Sequence, residues 1–441
     1  MAANQNPTQM HFLLLSLPHQ GHTNPTLEFA NQLLEAGSLV TLATTCPCNR
    51  LMDESQLPTG LSWAVFSADG GLQEDSLAAI FSQNAAQGHP VTHMVHTNLL
   101  AWAVHVATRF NVPSTLLWIY SATVLVIYYH YFNGHCEVIQ NCEKNPSWSL
   151  KLPNFPFELK TQDLPAYLLP SSPYAPGALP RFRQQIEELI KDDKPKKVLV
   201  NTTDALESDI LRSSLLGKFQ LIPVGPLFPS NKYCDDDYHI KWLNSQEKSS
   251  VIYVSFGSFW MPSKEQMKEM AQALILTERP FLWVVRNNNN NEEEDYLASF
   301  KDKLKNHGII VPWCSQLKVL SHPSVGCFLT HCGWNSILES ISVGIPMVAF
   351  PQSSDQMTNA KMIEDVWKVG VRVEVGEGGG LVKSQEIKRC LDLVMDDQLV
   401  KQSVMRLSNL VLNDVNKCGI SKDNIKAFID HTNITSEGSL G

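Results

Sequence analysis

The chain has 441 residues, 44% of them hydrophobic and 18% charged, with a formal net charge of −9 and a pI of about 5.9. That length exceeds one compact core and suits two domains of roughly 200 residues, and the hydrophobic content excludes a disordered chain. The acidic balance, without any Lys/Arg cluster, argues against nucleic acid or an anionic membrane as a partner.

The N-terminus has no basic segment and only about six apolar residues in a row, so it reads as a first strand and not a signal peptide. That strand is HFLLLSL (11–17). PHQGHTNP follows, then a helix in which Leu27, Ala30, Leu33 and Leu34 share a face. Asn24 can cap it, Pro25 suits its first turn and Gly37 can end it. SLVTLATT (38–45) is the next strand, completing the unit of a parallel α/β sheet. VTHMVHT (91–97) reads as a strand, LLAWAVHVATRF (99–110) as a helix and STLLWIY (114–120) as a strand. The apolar stretch Leu116 to Phe132 contains Ser, Thr, His and four Tyr, which suits a buried strand followed by a helix and not a membrane span. KKVLVNT (196–202) and FQLIPVGPL (219–227) close this first domain, residues 1–227. The polar PSNKYCDDDYH then reads as a linker, 228–240.

A second α/β series occupies 241–423. VIYVSFGS (251–258) is a strand, KEQMKEMAQALILT (264–277) a helix and PFLWVVR (280–286) a strand. VGCFLTH (325–331), NSILESISVG (335–344) and PMVAFP (346–351) form a further strand–helix–strand unit. The run Asn287 to Asn291, followed by Glu292, Glu293, Glu294 and Asp295, reads as a solvated loop. Residues 424–441 carry a last helix and tail. Ten cysteines without a C-x-x-C pair, and no secretory signal, imply free thiols in a reducing, cytoplasmic compartment. The sequons at Asn201 and Asn433 would go unused there.

LTHCGWNS (329–336) stands where a strand ends and a helix begins, a place where free N–H groups and the helix dipole favour an anion. Gly333 permits close backbone approach, Asn335 and Ser336 add polar groups, and His331 can donate to a phosphate. A zinc site is disfavoured because His331 and Cys332 are adjacent and face apart. A Cys332 nucleophile would need an exposed, activated thiol. Taken alone, the stretch also suits a core turn with an incidental cap.

From Trp313 to Gln356 the chain reads WCSQLKVLSHPSVGCFLTHCGWNSILESISVGIPMVAFPQSSDQ. This resembles the signature box of plant family-1 UDP-dependent glycosyltransferases, with Trp at its start, HCGWNS followed by Glu in its middle, and Asp-Gln at its end. VPWCSQ, IEDVWKVGVRV, EIKRC and WLNSQ place it nearest the subgroup of crocetin, auxin and anthocyanin 5-O-glucosyltransferases. The resemblance implies an α/β GT-B fold, two Rossmann-like domains facing across a cleft, the donor on the second and the acceptor on the first, with the last helix crossing back. It implies that Trp313 stacks on uracil, that the Cys314 backbone meets the uracil edge, and that Gln316 lies near the nucleoside. Glu339 would accept the ribose hydroxyls, and His331, Asn335, Ser336 and Ser258 would face the diphosphate. Trp334, Asp355 and Gln356 would hold the sugar, with the final Gln pointing to UDP-glucose.

PHQGHTNP resembles the family's loop after the first strand, which makes His22 the general base. His19 reads as loop surface. The family's usual Asp partner of that His is here Thr97, and Ser353 stands where Trp is usual. The acceptor pocket would involve Thr97, Leu99, Trp118, Tyr120 and Tyr128, and the segment 66–90 is shorter than in the kin. The scheme needs no metal or cofactor, and Asp235-Asp236-Asp237 reads as a solvated turn. The implied enzyme is an inverting, monomeric glucosyltransferase whose partners are UDP-glucose and a small-molecule acceptor. Two other classes stay open. A nucleotide-cofactor oxidoreductase lacks its G-x-G-x-x-G, and a catalytically weak nucleotide-sugar-binding protein is compatible with Thr97.

Overall fold

The run His11–Ser16 forms strand β1, with all six residues buried. Burial on both faces is what a continuous apolar run in a parallel sheet requires. The computed structural model describes residues 9–45, 57–145, 147–213, 217–228, 237–258, 261–286, 304, 307–376, 380–415 and 419–437. The Asn and acidic run at 287–295 lies outside these residues, as do Asp235, Asp236, the Asp237 side chain and most of the expected linker.

By packing, the chain divides into two units. Met1–Leu159, Tyr167–Pro229 and Asp414–Gly441 form the first, and Lys160–Ala166 with Ser230–Asn413 the second. The first holds strands β1, β2 (Leu39–Thr44), β3 (Leu61–Val65), β4 (His93–Thr97), β5 (Ser114–Trp118), β6 (Lys196–Val200) and β7 (Phe219–Pro223), all parallel, in the order β3-β2-β1-β4-β5-β6-β7. Phe12 and Leu14 of β1 pack against Phe29, Leu33 and Phe428. Leu13 and Leu15 face the opposite layer, with Ala103 and Val106.

The second unit holds β8 (Val251–Ser255), β9 (Phe281–Val284), β10 (Gly308–Val311), β11 (Val325–Thr330), β12 (Met347–Ala349) and β13 (Gly370–Arg372), again parallel, in the order β10-β9-β8-β11-β12-β13. Ile252 and Val254 of β8 pack on Met267, Met270 and Leu274 of helix Lys264–Leu276 and on Leu391 of helix Ser384–Asp396. In each sheet the strand order reverses direction beside the first strand, between β1 and β4 and between β8 and β11. Such a switch point opens a crevice at the carboxyl ends of the strands.

Three local expectations are corrected. The first helix spans Gln20–Glu35, so Asn24 lies inside it and caps nothing. The cap position is His19, extended at φ −96 and ψ 140, whose carbonyl accepts from His22 N at 2.8 Å and Thr23 N at 2.9 Å. Pro25 is tolerated near the start because it forgoes only one early backbone bond. The helix expected over 99–110 begins at Ala103, since Leu99 sits at φ +70, outside helical backbone. The strand expected over 251–258 ends at Ser255. Strands β3, β10 and β13 carry no clear sequence signal, the last having only three residues. Among the described residues no helix is long and apolar enough to cross a membrane. Asn201, Thr202 and Thr203 are buried, so this sequon is closed to modification in the folded chain.

Candidate active site

In the first unit the site is built on the switch point. His22 lies in the first turn of helix Gln20–Glu35, directly after β1, and Thr97 ends β4. Both are buried, and His22 Nδ1 lies 3.4 Å from Thr97 Oγ1. Burial, and secondarily the nearby His19, lower the His22 pKa to about 3. The imidazole is therefore neutral at physiological pH, with a hydroxyl and no carboxylate at its Nδ1. His19 itself is exposed, with its ring 6.5 Å from that of His22.

Tyr120 is half-buried and its ring meets His22 edge-on at 6.3 Å. Leu99, also half-buried, holds its left-handed φ two residues past Thr97. Trp118 and Tyr128 lie deeper: both are fully buried, Tyr128 stacks on Phe182 at 4.1 Å, and Trp118 Nε1 donates to the Ser121 carbonyl at 2.8 Å. The Trp118 ring meets that of Tyr120 edge-on at 5.6 Å and that of Tyr128 at 6.5 Å. A residue without sequence signal, Glu207, anchors this region. Its buried carboxylate accepts from Ala122 N at 2.9 Å, Thr123 N at 2.8 Å and Thr123 Oγ1 at 2.6 Å. It thus satisfies the start of helix Ala122–His130, and its burial raises its pKa.

In the second unit Ser255 pairs with Thr330 across β8 and β11, so the turns that leave these strands lie side by side. Ser258 follows the first turn, and its carbonyl accepts from Arg286 Nη1. After the second, Cys332 adopts φ +67, and Gly333 begins helix Trp334–Ser342. The His331 ring fits between two glycines. A Cβ on Gly257, itself at φ +71, would lie 2.6 Å from His331 Nε2, and one on Gly333 would lie 2.5 Å from it. Only glycine leaves room at either place. Burial, then the Arg286 charge, lower the His331 pKa to about 4, and its Nδ1 is buried without a partner among the described residues. Cys332 is wholly buried, and burial pushes its thiol far above the usual range, which disfavours it as a nucleophile.

Trp313 is half-buried beside the buried Cys314, ahead of helix Gln316–Leu320. Gln316 Nε2 donates to Ser336 Oγ at 2.8 Å and to Glu339 Oε2 at 2.7 Å. Glu339 is buried, and burial raises its pKa to about 7. Asn335 is half-buried on the turn between Gly333 and Ser336, while Trp334 is buried with its ring 6.1 Å from Trp367. The Asp355 carboxyl, raised by burial to about 6, accepts from Asn359 Nδ2 at 2.7 Å. Gln356 Oε1 accepts from Gln352 N at 2.8 Å and Ser353 N at 3.0 Å, which commits its oxygen to its own loop and leaves the NH₂ group as the end able to donate. Arg286 is a further residue that sequence reasoning missed, because an Arg closing a strand has no motif of its own. Among the described residues no group of three or more His, Cys, Asp or Glu could hold a metal ion.

Residues 234–415 match the family model described as UDP-glucoronosyl and UDP-glucosyl transferase. The chain is 43% identical to UDP-glycosyltransferase 75C1 of Solanum lycopersicum, over 96% of this chain and 98% of that protein. It is also 43% identical to a chloroplastic crocetin glucosyltransferase of Gardenia jasminoides, over 96% and 97% of the two chains. Among solved structures it resembles UGT2 of Phytolacca americana complexed with UDP-2-fluoro-glucose and pterostilbene, with a TM-score of 0.83, 27% identity, and coverage of 96% of this chain and 99% of that one.

Proposed function

The chain belongs to the family of UDP-glucoronosyl and UDP-glucosyl transferases, and on that premise we propose that it is an inverting, UDP-glucose-dependent glucosyltransferase acting on a small plant metabolite or hormone. The observation that carries the reading is the corner at His331–Gly333, a glycine-walled imidazole at the start of a helix. The attacking oxygen bonds to the anomeric carbon from the face opposite UDP, and the bond from that carbon to the β-phosphate oxygen breaks. The helix amides, His331, Asn335, Ser336 and Ser258 take the charge of the leaving diphosphate. Trp313 offers a flat face to uracil and the Cys314 backbone its edge, while Glu339 with Gln316 addresses the ribose. Asp355 and the NH₂ group of Gln356 hold the sugar hydroxyls, with Trp334 packed behind.

His22 takes or orients the acceptor proton. Because burial lowers the His22 pKa, full proton transfer to it from a neutral phenol of pKa about 10 is uphill. A carboxylic acid is already ionised at pH 7 and needs no base. We therefore infer that carboxylates, giving glucose esters, are favoured over alcohols, with acidic phenols between them. Thr97, Leu99 and Tyr120 line the acceptor side, and Trp118 and Tyr128 support it.

The test is UDP release from UDP-glucose with paired carboxylic and alcoholic acceptors. Wild type is expected to prefer the acids. His22→Ala should spare acids more than alcohols, because an ionised acceptor needs no base. Thr97→Asp should raise turnover of alcohols roughly ten-fold or more by stabilising the imidazolium, and leave acids nearly unchanged. A wild type that prefers alcohols, with His22 dispensable for them, would overturn the acceptor assignment. No UDP release with any acceptor would overturn the activity.

A further inference from the structure

Tyr253 lies in the middle of β8 with its ring 4.9 Å from Phe328 of β11, stacked and fully buried. A buried hydroxyl needs partners, and this one has three, the side chains of Cys314, Gln316 and Ser255. Its oxygen is 3.4 Å from Cys314 Sγ, and it donates to Gln316 Oε1 at 3.3 Å. Gln316 turns its other end to Ser336 Oγ and Glu339 Oε2. We propose that Tyr253 is a positioning residue for nucleotide binding, its hydroxyl fixing which end of the Gln316 amide faces Ser336 and Glu339.

Tyr253 has a single hydroxyl proton. The Gln316 amide oxygen can only accept, so its contact with Tyr253 takes the hydroxyl proton, while the Cys314 thiol, kept protonated because burial pushes it up to about 12, and the Ser255 hydroxyl can each donate to the Tyr253 oxygen. The Tyr253 proton is then committed to Gln316 Oε1. That leaves Nε2, which has two hydrogens, for the two acceptors Ser336 Oγ and Glu339 Oε2. Above pH 7, where the Glu339 carboxyl is ionised, a reversed amide would set its oxygen against a carboxylate and lose the donation to it. With one oxygen of Glu339 held by Gln316, the carboxyl plane is fixed and can meet a vicinal diol with both oxygens. The proposal rests on the assignment of Gln316 and Glu339 to the nucleoside.

Tyr253→Phe removes one oxygen and keeps the ring stacked on Phe328. Calorimetric titration with UDP, and kcat and KM for UDP-glucose, read its effect. UDP affinity is expected to fall about five- to twenty-fold and KM to rise in step, with kcat unchanged within about two-fold. In a Gln316→Ala background the same substitution should change UDP affinity by less than about two-fold, because Tyr253 acts through Gln316. Wild-type UDP affinity in Tyr253→Phe, or a loss undiminished in the Gln316→Ala background, would overturn the proposal. Unchanged UDP affinity in Gln316→Ala alone would overturn the nucleoside assignment, and the proposal with it.

Discussion

At the scale of the residue, this site is governed by burial without counter-charge. Glu339 shows the consequence for stability. Its pKa is raised in the fold to about 7, so its contribution to stability is full below the unfolded value of about 4.5 and is lost as pH rises through 7. Glu339→Gln cannot ionise and should therefore melt higher than wild type at pH 8 in the absence of nucleotide, with little difference at pH 5. Thermal melts at the two pH values check this, and the same variant should bind UDP more weakly. His22 runs the opposite way. Its pKa is lowered to about 3, so its stabilising contribution is present above about 6.5 and is lost as pH falls toward 3. His93, with its pKa lowered by burial to about 3, and His331 add to that acid sensitivity.

At the scale of the element, the strand-to-helix corner at 331–336 depends on close approach. Gly333 has an ordinary φ of −60, so space and not backbone strain demands glycine there. Gly333→Ala should weaken UDP binding ten-fold or more while the circular dichroism spectrum stays that of wild type, since the added Cβ would lie 2.5 Å from His331 Nε2. The start of helix Ala122–His130 adds to a local cap, Ser121 Oγ accepting from Val124 N at 3.4 Å, a carboxylate from Glu207, far along the chain. No local pattern in the sequence announces the Glu207 contact. The near signals at Asn24 and Pro25 point five residues too late for the first helix, because His19 adopts extended backbone and supplies the cap position itself.

At the scale of the whole molecule, two chain segments belong where their sequence neighbours do not. Helix Ile420–Glu437 is part of the first unit: Ser421 Oγ donates to the Gly225 carbonyl at 2.6 Å, Asn424 Nδ2 to that of Pro223 at 2.9 Å, and the Phe428 ring meets Phe12 at 6.1 Å and Phe29 at 6.3 Å. Residues 160–166 belong to the second unit. There the buried Asp163 pairs with Lys361 at 3.2 Å and Arg372 at 3.1 Å, and Ala166 N donates to the Ser354 carbonyl at 2.7 Å, one residue before Asp355. Removing the acid of such a buried cluster costs about 3–5 kcal/mol, because the cations stay behind. Asp163→Ala should therefore lower the urea midpoint of the second unit, followed by calorimetry and tryptophan fluorescence, whereas Lys361→Met should cost less.

The sequence by itself determined the class of the fold and the family. Apolar runs of strand length fixed most of the strands, and the 44-residue box carried the proposed donor residues at spacings that do not depend on how the rest of the chain folds. The proposed base, His22, was picked out by the resemblance of PHQGHTNP to the family's loop after the first strand. The tertiary structure alone decided what each of these groups is worth. Burial sets His22 near pKa 3 and Glu339 near 7, and a contact across 75 residues puts a hydroxyl at His22 Nδ1. Tyr253, Glu207, Arg286 and Asp163 were illegible because their partners lie tens to hundreds of residues away. Proton count, desolvation and ion pairing depend on which atoms touch, and only the packed chain brings those atoms together.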